Sequence, residues 1–143
     1  MKLTTKGQYG IHAMYELALS GPDAPMNIKT IAERQNIPEA YLEQLLIALR
    51  KNGLVRSVRG AQGGYLLALA PGQITVGQVL RALEGSLGFV ECLDEDACDK
   101  AGLCPTRLVW RKVHEGLNEI VDGISLQDML NDYQRMRAGG AQE

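Results

Sequence analysis

The sequence predicts a mainly α-helical chain with a small β-hairpin, a winged helix-turn-helix module followed by a long dimerisation helix. Three observations carry this expectation. A short amphipathic segment and a longer one are separated by the tight turn Asn36-Ile37-Pro38, the helix-turn-helix arrangement. Two short apolar segments follow on either side of Arg59-Gly60-Ala61-Gln62-Gly63-Gly64, which reads as a hairpin with a glycine-rich tip, a wing. From Pro105 onward, Trp110, Val113, Leu117, Ile120 and Ile124 step by threes and fours, a heptad-like stripe suited to helix pairing.

Taken in order, Gly7 to Ser20 places Ile11, Met14, Tyr15, Ala18 and Leu19 on one helix face and ends at Gly21-Pro22. A second helix runs from Ile28 to Gln35. Pro38 suits the first position of a third, with Glu39 in its first turn. That helix carries Leu42, Leu45, Leu46 and Leu49 inward and stops at Asn52-Gly53, where glycine supplies a left-handed residue. Leu54–Val58 and Tyr65–Leu69 are the wing strands. Thr75 to Leu83 is a short helix, and Gly85 to Leu103 is an irregular, acidic, cysteine-bearing loop. The long helix spans Pro105–Asp122, Ser125 caps a last helix through Met136, and Ala138-Gly139-Gly140 reads as disordered. The expected units are residues 1–84 for DNA binding, 85–104 as a cysteine loop, and 105–143 as dimerisation and C-terminal helices.

Of 143 residues, 45% are hydrophobic and 22% charged, ordinary for a soluble globular protein. No apolar run is long enough for a membrane helix, and Met1 to Gly7 lacks a secretory signal, so a cytoplasmic location and no membrane partner are expected. The net charge of −2 is unevenly spread: residues 1–84 hold nine Lys and Arg against six acids, residues 85–143 six against eleven. Phosphate contact therefore belongs to the first part. The absence of a nucleophile–base pair or a phosphate-cradling motif argues against an enzyme.

The outer face of the third helix offers Tyr41, Glu43, Gln44, Arg50 and Lys51. In the major groove of double-stranded DNA, Gln44 suits adenine N6/N7 and Glu43 suits cytosine N4, while Arg50 and Lys51 neutralise phosphates. Arg59 stands at the wing tip, where Gly60, Gly63 and Gly64 leave the backbone free to approach phosphate or a minor groove. The plainer alternatives are a solvated Glu43 and an ordinary exposed hairpin turn.

Cys92, Cys98 and Cys104 are separated by five residues each. An odd number in a reducing compartment does not make a disulfide framework. Three thiolates on one loop can converge on a soft metal centre, and spacing wider than the CxxC pairs of common zinc sites leans toward an iron–sulfur cluster. The alternative is three unrelated or redox-reactive thiols. Of the two histidines, His114 lies ten residues past Cys104, about 15 Å up the following helix, and is a poor ligand candidate. His12 qualifies only if tertiary or dimer packing brings the first helix to the loop. Asp94, Glu95, Asp96 and Asp99 are nearer in sequence, as ligands or as solvating charges.

Residues 1–14 (MKLTTKGQYGIHAM), 41–68 (YLEQLLIALRKNGLVRSVRGAQGGYLLA) and the cysteine triplet together resemble the Rrf family of bacterial winged-helix regulators, most closely its iron–sulfur cluster regulators, over residues 1–135. The resemblance implies a homodimer paired through Pro105–Asp122. It also implies a [2Fe-2S] or related cluster on Cys92, Cys98 and Cys104, and cluster-dependent control of transcription. The cluster regulators carry a histidine ligand three residues after the last cysteine, where this chain has Arg107, which cannot replace it. Some relatives draw a ligand from the partner's first helix, at positions matching Gln8 or His12, which points to His12 of the partner subunit. The family also holds regulators of cysteine metabolism and nitric-oxide response. The alternative is thus a metal-free regulator answering to a small molecule or partner protein.

Overall fold

Thr4 caps the first helix by accepting a hydrogen bond from the Gly7 amide at 3.4 Å, so that the helix starts at Thr5, two residues ahead of the expected start. A computed structural model describes residues 4–85, 87 and 105–140. In chain order it gives α1 (Thr5–Ser20), α2 (Ile28–Gln35), α3 (Glu39–Lys51), β1 (Val55–Val58), β2 (Gly64–Leu67), a 3-10 turn (Pro71–Gln73), α4 (Val76–Glu84), α5 (Pro105–Asp122) and α6 (Leu126–Gly140). This is the winged helix-turn-helix the sequence predicts.

Asn27 caps α2, its side chain accepting from the Thr30 amide at 2.8 Å, and Asn36 ends it in the left-handed region at φ 54°. Pro38 stands just outside α3 rather than in it, at φ −56° and ψ 130°, while its carbonyl accepts from Leu42 at 2.9 Å. Gly53, at φ 74°, takes the left-handed position after α3 as expected. Met14 and Leu17 of α1, Ile31 of α2 and Leu42, Leu45, Leu46 and Leu49 of α3 meet Val79 and Leu83 of α4 in one core. Removing one such buried leucine side chain costs about 2–5 kcal/mol.

The wing pairs antiparallel from Val55↔Leu67 to Val58↔Gly64, shorter than expected, and an in-register hydrogen bond from the Ala68 amide to the Leu54 carbonyl at 3.0 Å carries the ladder one pair further at its base. Met26 and Tyr65 exchange backbone hydrogen bonds of 3.1 and 2.9 Å, tying the turn before α2 to the wing base.

The chain returns to this core after α5. Val76 donates to the Ile124 carbonyl at 2.8 Å and Leu126 to the Ile74 carbonyl at 2.9 Å, and Leu126 is fully buried. Ser125 and Asp128 cap α6 reciprocally, with hydrogen bonds of 2.9 and 3.1 Å. Tyr133 then packs edge-on against Tyr15 of α1. Residues 138–140, expected to be disordered, continue α6. The helical hydrogen bonds run on past Arg137, which stacks over Tyr133, and they outweigh a glycine penalty of about 1 kcal/mol per residue.

The predicted stripe on α5 divides between two sides. Leu117 packs toward Leu80, Leu87 and Val121 of its own chain, whereas Val113 and Ile120 are 39% and 63% exposed. Ile124 lies beyond the helix end. Among the described residues no helix is long and apolar enough to cross a membrane.

Arg81 of α4 joins α5 through both Asp122 carboxylate oxygens at 2.7 and 2.8 Å and through Asn118 at 2.5 Å. The Arg81 hydrogen bond holds the Asp122 carboxyl below its usual range. A depressed carboxyl adds stability above its unfolded pKa and loses it as pH falls through its folded value. Arg81→Ala is therefore expected to lower the melting temperature at pH 7, with the gap to the unmodified chain closing below about pH 4. A gap that stays constant down to pH 2 contradicts this.

Candidate nucleic-acid interface and metal centre

The buried leucines of α3 fix which side faces out. At about 100° per residue, Ala40, Gln44, Ile47 and Lys51 fall on one line opposite them, with Glu43 and Arg50 on one flank and Tyr41 on the other. Glu43, Gln44, Arg50 and Lys51 are all exposed. Among the described residues they have no ion pair or side-chain hydrogen bond, so their polar atoms are available to a partner. Tyr41 differs from the expectation of an open face: it is half-buried, its ring edge-on to Tyr9 at 5.8 Å. Ala40, exposed, and Ile47, half-buried, sit in the middle of the face and were missed. The same helical periodicity that found Gln44 would have found them.

At the wing tip Arg59 is exposed, and the Gly63 amide donates to the Gly60 carbonyl at 3.0 Å to close the turn. Gly60, at φ 116°, has open space where a side chain would stand. The other two glycines have a structural reason. A Cβ on Gly63 would collide with the Val58 carbonyl, and one on Gly64 with the Met26 carbonyl.

Cys92, Cys98 and Cys104 lie outside the described residues, and among the described residues no three His, Asp or Glu side chains gather as a metal site. His12 is exposed on α1 and held at one end. Glu16, only 7% exposed, accepts from Gln35 Nε2 at 2.6 Å and lies 3.5 Å from Arg34. A carboxylate only accepts, so the Gln35 amide nitrogen faces it and Oε1 is turned toward the ring of His12, 2.9 Å from Nδ1. His12 Nδ1–H must then donate, which leaves Nε2 without a hydrogen-bond partner among the described residues. Metal-ligating histidines are oriented in this way. Ile11, beside His12, packs near Leu80 and Leu87, so the fold brings α1 to the point where the cysteine loop begins. His114 is engaged instead: Nδ1–H donates to the Leu87 carbonyl at 3.1 Å, and Nε2 accepts from Asn118 at 3.2 Å.

The family model described as an iron-dependent transcriptional regulator, Rrf2, matches residues 3–132. The chain belongs to the Rrf2 family. It is 40% identical to the HTH-type transcriptional regulator IscR of Klebsiella pneumoniae over 99% of this chain and 87% of that one. To IscR of Aliivibrio salmonicida it is 42% identical, over 92% and 79%. Among solved structures, T. potens IscR superposes with a TM-score of 0.77 at 48% identity, covering 93% of this chain and 88% of that chain. CymR (YrzC), described as the global cysteine regulator of B. subtilis, superposes at 0.76 with 41% identity, covering 90% and 95%. These Rrf2 relatives are transcriptional regulators, not enzymes, and DNA-binding regulation follows for this chain.

Proposed function

We propose that this Rrf2 protein is a homodimer whose operator affinity is set by an iron–sulfur cluster on Cys92, Cys98 and Cys104. The observation that carries the DNA part is the outer face of α3, where polar side chains without ion-pair or hydrogen-bond partners among the described residues flank an apolar centre. Gln44 offers adenine a donor and an acceptor, Glu43 accepts from cytosine N4, and Ala40 and Ile47 present apolar surface to a thymine methyl. Arg50 and Lys51 neutralise phosphates, and Arg59 enters the narrow minor groove from the wing. Residues 1–84 thus bind DNA, 85–104 hold the cluster and 105–143 pair the subunits.

The donor set fits the cluster. Three thiolates would hold it, with His12 Nε2, from the same chain or from the partner subunit, as the remaining ligand. Arg107 has no lone pair to give. When bound, a [2Fe-2S] cluster supplies redox and oxygen sensitivity. The chain transmits its state because the cysteine loop joins α4 to α5, and Arg81 ties α4 to the far end of α5 at Asn118 and Asp122, so that the two helices move together. Cluster gain or loss then re-poses α5 and the spacing of the two recognition helices, with a coupling of about 1–3 kcal/mol.

Binding of a fluorescent operator duplex is expected to weaken about a thousandfold or more between 50 and 200 mM salt, the consequence of contacting about six phosphates. Affinity that does not respond to salt removes the phosphate contacts assigned above. The similarity to CymR favours a second reading, a metal-free regulator answering to a small molecule or partner protein; a colourless, iron-free protein after anaerobic reconstitution selects it.

A further inference from the structure

We infer that the base of the wing is a binding site for an amphipathic monocarboxylate, a small molecule with an apolar body and a single anionic end. A cavity of about 460 Å³ opens between the last turn of α1, strand β1 and the chain leaving β2. This is the size range of small-molecule sites, about 300–1,000 Å³. Its floor is Leu17 and Ala18, both buried in the core, and its walls include Leu67, Leu69 and Pro71.

None of the outer-face residues of α3 and not Arg59 of the wing tip lines this cavity. Leu67-Ala68-Leu69-Ala70-Pro71 carries no polar side chain, yet Leu69 is 42% exposed. One charged side chain, Arg56, lines the cavity. It is exposed and, among the described residues, meets neither a carboxylate nor another side-chain acceptor. A permanently charged guanidinium at the edge of an apolar cavity matches a carboxylate, which it can grip with two parallel hydrogen bonds while the apolar body fills the space. A neutral apolar molecule leaves the guanidinium unmatched. A phosphate brings charge and hydration that these walls cannot satisfy.

The position also suits an effector. The hydrogen bond from Ala68 to Leu54 that closes the hairpin borders the cavity, and Arg56 lies on the strand that leads to Arg59. A ligand here sets the angle of the wing; this consequence, unlike the binding itself, rests on the DNA reading above. By linkage, ligand and DNA change each other's affinity by the same factor.

Calorimetric titration of the full chain with octanoate and with 1-octanol, equal in length and differing in charge, tests the site. Octanoate is expected to bind saturably, one per chain, at least tenfold more tightly than octanol. Arg56→Gln is expected to reduce octanoate to the level of octanol and leave octanol unchanged, while Ala70→Trp at the exposed mouth blocks both. No saturable octanoate binding, equal affinities for the two probes, or an Arg56→Gln variant that still prefers octanoate overturns the proposal. Saturating octanoate is expected to change operator affinity at least threefold in the unmodified chain and not in Ala70→Trp. Octanoate binding with unchanged operator affinity overturns the coupling alone, and failure to bind any DNA leaves the titration of the site intact.

Discussion

Replacing Cys92, Cys98 or Cys104 by alanine is expected to remove essentially all visible absorbance from the anaerobically purified protein, together with about two iron and two acid-labile sulfide per chain. Each substitution deletes one thiolate from a set of three, and with an arginine at 107 no spare ligand follows the last cysteine. His12→Ala is expected to behave differently. It leaves all three thiolates in place, so iron is retained in part while the spectrum and midpoint potential shift, because the remaining position passes to a weaker donor or water. Gln35→Leu should produce a smaller shift in the same direction. It keeps the imidazole but removes the amide that holds Nδ1–H and thereby aims Nε2. An unchanged spectrum in both His12→Ala and Gln35→Leu removes α1 from the site. Full iron content in any one of the three cysteine variants removes that cysteine.

If the proposed homodimer pairs through α5, placing a charge on the open side of that helix is expected to yield a monomer and weaken operator binding a hundredfold or more. Val113 and Ile120 lie seven residues apart on one side of the helix and are exposed in the single chain. Apolar side chains left exposed on one helix face are what the proposed pairing of two α5 helices would cover. Ile120→Glu would bury two unpaired carboxylates in a symmetric interface, at a cost of several kcal/mol. A monomer engages one half-site at a time and forfeits most of the gap between specific and non-specific affinity. Because Ile120 is exposed within its own subunit, the variant should keep its helical content, with sedimentation reporting a monomer. A dimer that persists in the Val113→Glu, Ile120→Glu double variant places the interface elsewhere.

The helix pair and the wing were legible because both rest on local patterns: leucines at helical spacing in α3, and a glycine run between two short apolar segments. What the pattern could not reveal came from residues distant in sequence. Nothing local marks Tyr41 as a packing residue; the ring of Tyr9 does. Gly63 and Gly64 read as a wing tip open to DNA; that the carbonyls of Val58 and Met26 also exclude a side chain there is visible only in the fold. The stripe on α5 was visible, but spacing alone did not show that Leu117 turns toward its own chain while Ile120 turns away. At the candidate metal centre the cysteine spacing was plain, whereas the orientation of His12 depends on Gln35 and Glu16, which only the packing of α2 on α1 brings together. The continuation of α6 to Gly140 was not legible because the two glycines of Ala138-Gly139-Gly140 give it low helix propensity by itself, and the helix extends into it from the packed turns before it.

The claim that a cluster governs DNA affinity is tested most directly by titrating one fluorescent operator duplex, at fixed salt and without oxygen, with cluster-loaded protein and with the same protein after the cluster is removed. The account predicts dissociation constants that differ by about 5- to 150-fold between the two states. Equal dissociation constants for loaded and stripped protein, with iron confirmed in the first, would contradict it.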